Sequence, residues 1–106
     1  MSTEFYGSFY IKVRLLSSNM TDKETIDKVW SKGTPIPGKD SDTWRQDQCS
    51  TPMKKDDYGN RDSKTGWEID HISPSDNDNL SNLRPLQWEN NVNKSDGKLK
   101  CDCKED

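Results

Sequence analysis

The stretch Gly66-Trp67-Glu68-Ile69-Asp70-His71-Ile72-Ser73-Pro74 decides the fold. Trp67, Ile69 and Ile72 bracket a short β-prone run that carries an adjacent carboxylate and imidazole, Asp70 and His71. Residues 73–81 are almost entirely Ser, Pro, Asp and Asn, which predicts a loop. Leu83 and Leu86 fit a second short strand, and Trp88 to Asp96 reads as a helix with Asn91 near its start. Successive strand residues face opposite ways, so Asp70 and His71 can serve one site only at a strand end or a bulge. The loop containing Pro74, just after them, is consistent with such an end.

Working outward, Tyr58-Gly59-Asn60-Arg61-Asp62-Ser63 is a turn cluster, and a short hairpin is expected around Cys49–Met53. Gly33 to Ser41 holds Gly, Pro and Asp and reads as a linker. Before it, Thr21 and Glu24 have capping-box spacing, and Ile26, Val29 and Trp30 share a helical face, predicting a helix over 22–32. Phe9, Ile11, Val13 and Leu15 recur with a period of two, predicting a strand over 8–16. From Lys98 the chain is charged and is expected to be mobile. The expected organisation is an N-terminal strand-helix extension (1–33), a core (44–98) and a flexible charged tail (99–106).

A chain of 106 residues implies one domain. Only 27% of it is hydrophobic, 33% is charged, alanine is absent and the mean hydropathy is -1.21, so the core must be thin. Near balance of 16 basic against 19 acidic residues, four tryptophans, and turn residues set between apolar segments argue for order. The net charge of -3 opposes phosphate binding and predicts weak, salt-sensitive contact with nucleic acid. A homodimer or partner protein is therefore expected to supply part of the grip. The start, Met-Ser-Thr-Glu, lacks a basic n-region, and no apolar run is long enough to span a membrane. Cysteines at 49, 101 and 103 make an odd count that fits a reducing compartment. The expectation is an intracellular protein of cytoplasm or nucleus, not secreted and without a membrane partner.

Asp70-His71-Ile72-x-Pro74, then Asn82-Leu83-x-x-Leu86, then Asn91 five residues on and Lys94 three after that, closely resembles the HNH nuclease family, as an H-N-N variant. The resemblance covers about residues 44–98. It implies an α+β fold with a ββα-metal (HNH/His-Me finger) core, here with an added N-terminal strand and helix. It further implies that Asp70 and Asn91 hold one divalent metal ion, Mg2+ or Mn2+. His71 would be the general base, and Asn82 would orient the loop or the His71 ring. The implied activity is metal-dependent hydrolysis of DNA phosphodiesters by nicking, leaving 5′-phosphates, with RNA as the other candidate substrate. Arg84 and Lys94, inside the motif, are expected at phosphate oxygens, with Lys54, Lys55, Arg61 and Lys64 as a further track.

Phosphodiester cleavage needs an activated water and charge stabilisation at phosphorus. An imidazole can take a proton from water near neutrality, and His71 is the only histidine. A hard cation prefers oxygen donors, which Asp70 and Asn91 supply. Two departures from the family stand out. Gln87 and Asn90 occupy positions where many members carry a Cys-x-x-Cys zinc staple, so no structural zinc is expected. Asp76-Asn77 replaces the usual loop Gly-Gly, and Asn tolerates the required turn.

Bland readings compete at each position. A lone histidine is more often structural than catalytic, Asn91 alone reads as a helix-start residue, and Asn82 alone as a turn residue. Trp67 and Trp88 read as core rather than base-stacking platforms. Asp56, Asp57 and Asp62 interleave with the basic track, so it also reads as solvated mixed-charge surface. Two other function classes stay open: a catalytically silent HNH-like module binding nucleic acid or protein, and an adaptor using the N-terminal strand as a β-addition edge.

Overall fold

The first helix, α1 (Asp22–Trp30), starts where the capping box predicts. Thr21 Oγ1 accepts from the Glu24 amide at 3.0 Å, and Glu24 Oε1 accepts from the Thr21 amide at 2.9 Å. That exchange is worth about 1 kcal/mol. The helix ends at Trp30 rather than residue 32, because Lys32 and Gly33 bond back three residues instead of four. Arg45 then donates to the carbonyls of Ser31, Gly33 and Ser41, fastening the segment that leaves the helix.

The computed structural model describes residues 21–73, 77–95 and 98–101. The strand expected over 8–16, the Pro74 turn and Cys103 lie outside these residues. What is described is a small mixed α+β unit with two antiparallel sheets. The first sheet has the order β1 (Thr34–Pro35), β2 (Trp44–Gln46), β3 (Pro52–Lys54). Part of the expected linker is thus a strand. Pro35 cannot donate to a ladder, so β1 is tolerated only at the edge, where it sits. The expected hairpin is present but wider, with Cys49 in the connection and Trp44 paired to Lys54.

The second sheet pairs β4 (Trp67–His71) with β5 (Leu83–Gln87) in the register Trp67↔Gln87 through His71↔Leu83. A second helix, α2 (Trp88–Val92), follows without a loop. It is shorter than the expected 88–96. Asn90, Asn91 and Asn93 are poor helix formers; the Gln87 side chain, accepting from the Glu89 and Asn90 amides, caps its start, and the Trp88 amide donates to the Gly66 carbonyl.

Val29 and Trp30 of α1, Met53 of β3, Trp67 of β4 and Leu83 of β5 form one buried cluster. The helix inside the expected N-terminal extension therefore packs into the same core as the motif strands. Trp30 and Trp67 lie 5.2 Å apart, and their indole N–H groups donate to the Ser41 and Lys55 carbonyls. Gly66 permits close packing before β4, since any Cβ there would collide with the Asn60 carbonyl.

A buried carboxylate joins the two sheets, and a disulfide ties the C-terminal stretch to the first. Asp47 is 4% exposed; its Oδ1 accepts from the Cys49 and Thr51 amides, and its Oδ2 from the Gln87 amide and Asn90 Nδ2. Cys49 is also disulfide-bonded to Cys101, 52 residues away. The stretch expected to be a loose tail is thus anchored at Cys101, and neither cysteine remains a thiol. Closing a loop of that length is worth about 4 kcal/mol in the chain-entropy model. Reduction with dithiothreitol is expected to lower the urea midpoint by up to that equivalent; an unchanged midpoint would mean that the bond contributes nothing.

Candidate active site

Register determines which motif side chains can meet. Asp70 pairs with Arg84, and Glu68 with Leu86, on one face of the β4–β5 ladder. On that face Asp70 is 4% exposed, and each of its oxygens meets a cation. Arg84 Nε donates to Oδ2 at 2.8 Å, and Lys94 Nζ donates to Oδ1. Arg84 also reaches Gln48 Oε1 at 2.7 Å. Arg84 and Lys94, expected at phosphate, are therefore engaged with Asp70.

Asn91, on α2, turns to the same face but bonds a different carboxylate. Its Nδ2 donates to Glu68 Oε1 at 2.8 Å. Arg61 grips Glu68 with both forks, Nε to Oε2 at 2.6 Å and Nη2 to Oε1 at 2.9 Å. These donors, Arg61 first and then Asn91, hold the Glu68 carboxyl below its ordinary range against the opposing effect of burial. Asp57 is likewise lowered, mainly by the Thr65 hydroxyl. A carboxyl lowered in the folded state contributes stability that is complete above its unfolded pKa, 4.5 for Glu68, and is lost as pH falls through the folded value. The urea midpoint is expected to fall as pH drops below about 4.5. Glu68→Gln should flatten part of that fall; an unchanged acid limb would exclude this pair as its source.

His71 closes β4 and faces the other way. Its ring is 39% exposed, and Nε2 lies 2.7 Å from Asp78 Oδ1. With the proton on Nε2, Asp78 orients the ring and leaves Nδ1 as the acceptor. Asp70 and His71 thus occupy opposite faces of the ladder, and no contact joins them.

Asn82 is 8% exposed and clasps the loop that carries Asp78. Its Oδ1 accepts from the Ser73 amide at 2.9 Å, and its Nδ2 donates to the Asn77 carbonyl at 2.8 Å. Asn82→Ala would remove a partner from the Ser73 amide and the Asn77 carbonyl, both on exposed residues. It is expected to cost about 1 kcal/mol and to speed proteolysis between Ser73 and Asn82. Wild-type cleavage kinetics there would exclude the clasp.

The remaining basic candidates scatter. Lys55 pairs with Asp27 at 3.0 Å, and Arg61 is taken by Glu68. Lys54 lies over the Trp44 ring, and Lys64 borders a separate cleft beside it. Lys32 donates to the Leu80 and Leu83 carbonyls and lines a cleft of about 190 Å3 that also touches Arg84 and Ile72. Among the described residues, no three His, Cys, Asp or Glu side chains cluster as a metal site, and no helix is long and apolar enough to cross a membrane. Sequence reasoning missed Glu68, Asp78 and Asp47. Glu68 and Asp78 had a signal, since each flanks the Asp-His pair; Asp47 had none.

No family model, characterised protein or solved structure matches the chain significantly.

Proposed function

We propose that this chain is an HNH-type endonuclease that nicks DNA by hydrolysing a phosphodiester, with His71 as general base. The observation that carries the reading is the Asn82 clasp. It gives the middle residue of the motif the loop-holding role expected of it, and it steadies the Asp78 that orients His71. Because β4 ends at His71, a phosphate lying across that strand end could be approached by His71 from one face and by Asp70 and Lys94 from the other.

The donors suit a hard divalent cation in kind. Asp70 offers a carboxylate oxygen, and the Asn91 amide, with its Nδ2 committed to Glu68, has Oδ1 available. A cation at Asp70 would compete with Lys94 for Oδ1 while Arg84 keeps Oδ2. Bound there, it would supply Lewis-acid stabilisation of the charge developing on phosphorus and the departing oxygen. Among the chain's own groups, His71 Nδ1 takes a proton from the attacking water, and Asp78 stabilises the resulting imidazolium. Lys94, were it released from Asp70, would be the cation for a phosphate oxygen.

A second reading, a catalytically silent nucleic-acid-binding module, is favoured by one observation: both Asp70 oxygens already face cations. Supercoiled plasmid incubated at low salt with Mg2+, Mn2+ or EDTA separates the two. Metal-dependent nicking supports the nuclease. DNA retention with no product from folded protein supports the silent module.

A further inference from the structure

Trp44 stands apart from the other three tryptophans. Trp30, Trp67 and Trp88 each donate an indole N–H to a backbone carbonyl. Trp44 makes no such bond among the described residues; like Trp88 it lies outside the buried cluster and is only half-buried, here on the central strand β2. A tryptophan left with an unsatisfied donor and a partly wet ring contributes less to folding than its size allows.

What gathers around it is basic. Lys39 Nζ lies 4.7 Å and Lys54 Nζ 5.1 Å from the ring centroid. Lys54 sits directly opposite Trp44 in the β2–β3 register, so its position follows from backbone pairing. Lys64 borders the adjoining cleft of about 170 Å3, which Trp44, Pro52 and Gln87 also line. None of these three lysines has a carboxylate partner among the described residues, whereas Lys55, Arg61, Arg84 and Lys94 all do. Glu89, the acid lining the cleft, is engaged by Gln87 Nε2 at 3.2 Å. In a chain of net charge -3, three ammonium groups without an ion pair stand beside one flat aromatic ring; with the Glu89 carboxylate in the cleft and Asp57 acting on Lys54 through space, they leave a local excess of positive charge.

We propose that Trp44 with Lys39, Lys54 and Lys64 is a stacking subsite for single-stranded nucleic acid. A half-buried indole offers part of its π-face to an unpaired base, which would take the place of a lysine now lying over the ring while the displaced ammonium groups turn to the phosphates on either side. A duplex keeps its bases stacked on one another and has none to offer the ring. The subsite lies at the Gln87 end of β5, four residues from Leu83, the partner of His71. At about 3.3 Å per strand residue that separation is roughly 13 Å, or about four nucleotides of a stacked strand. On the nuclease reading, on which this last step rests, the substrate strand would extend from the scissile phosphate at His71 along the hairpin to Trp44.

The test is fluorescence anisotropy with a labelled short oligothymidylate in EDTA, so that binding is read without cleavage. A duplex of the same length and a polyglutamate serve as competitors. Trp44→Leu is expected to weaken oligothymidylate binding at least about five-fold, and Trp44→Tyr to keep most of it. The double variant Lys39→Gln/Lys54→Gln keeps the ring and should reduce the slope of log affinity against log salt by about 1.4, or about 0.7 for each lost contact. Melting curves identify any variant that has simply unfolded. Unchanged binding in folded Trp44→Leu, or competition by duplex or polyglutamate as effective as by single strand, overturns the subsite. Binding through Trp44 without metal-dependent nicking would sink the nuclease and leave the subsite standing. Nicking with Trp44-independent binding would do the reverse.

Discussion

On the proposed nuclease function, His71→Ala is expected to lower metal-dependent plasmid nicking by about 10²- to 10⁴-fold, the range that a positioned general base contributes. The same variant should melt within about 0.5 kcal/mol of the parent. The reason is local. The His71 side chain is 39% exposed, and its hydrogen bond goes to Asp78, itself 80% exposed, so the ring contributes little to the core. Few other motif positions separate function from folding so cleanly. Asp70 is enclosed by Arg84 and Lys94, and its loss would leave two cations without their shared anion. Asp78→Asn should be milder than His71→Ala, since it removes the orienting charge and keeps the base. Nicking by folded His71→Ala at the parental rate would remove His71 from the mechanism.

Asp47→Ala is expected to destabilise the protein by about 3–5 kcal/mol, enough to unfold much of a domain with so thin a core. One buried carboxylate serves four donors from separate places in the chain: the Cys49 and Thr51 amides, the Gln87 amide and Asn90 Nδ2. Removing it strips the β2–β3 connection and the start of α2 of a shared partner, and each buried donor left unpaired has its own cost. Asp47→Asn should cost less, because one carbonyl oxygen survives. Equilibrium urea denaturation measures both. A loss under about 1 kcal/mol for Asp47→Ala would show that water or other groups replace the carboxylate.

Much of the fold was legible in the sequence, for identifiable reasons. The helix start at Thr21 rests on a local exchange between residues three apart, and local chemistry reads directly. The strands around Asp70 and Leu83 were visible from their apolar residues and the polar loop between them. Less legible were β1, where two residues carry too little pattern, and the end of α2, where propensity fades gradually. The strand expected over 8–16 falls outside the described residues.

By itself, then, the sequence determined the order of the elements between Trp67 and Val92, the start of the first helix, and the residue types available along that stretch. Those features depend on neighbours along the chain. Tertiary structure alone decided who partners whom: Asp70 with Arg84 and Lys94, Asn91 with Glu68, His71 with Asp78, and Asp47 with donors up to 43 residues away. It also decided that Cys49 meets Cys101, and that Trp44, unlike Trp30, Trp67 and Trp88, donates its indole N–H to no carbonyl among the described residues. The physical reason is that a carboxylate, a thiol or an indole has the same intrinsic chemistry anywhere in the chain. Strand register and burial choose its partner, and both are set by segments far apart in sequence.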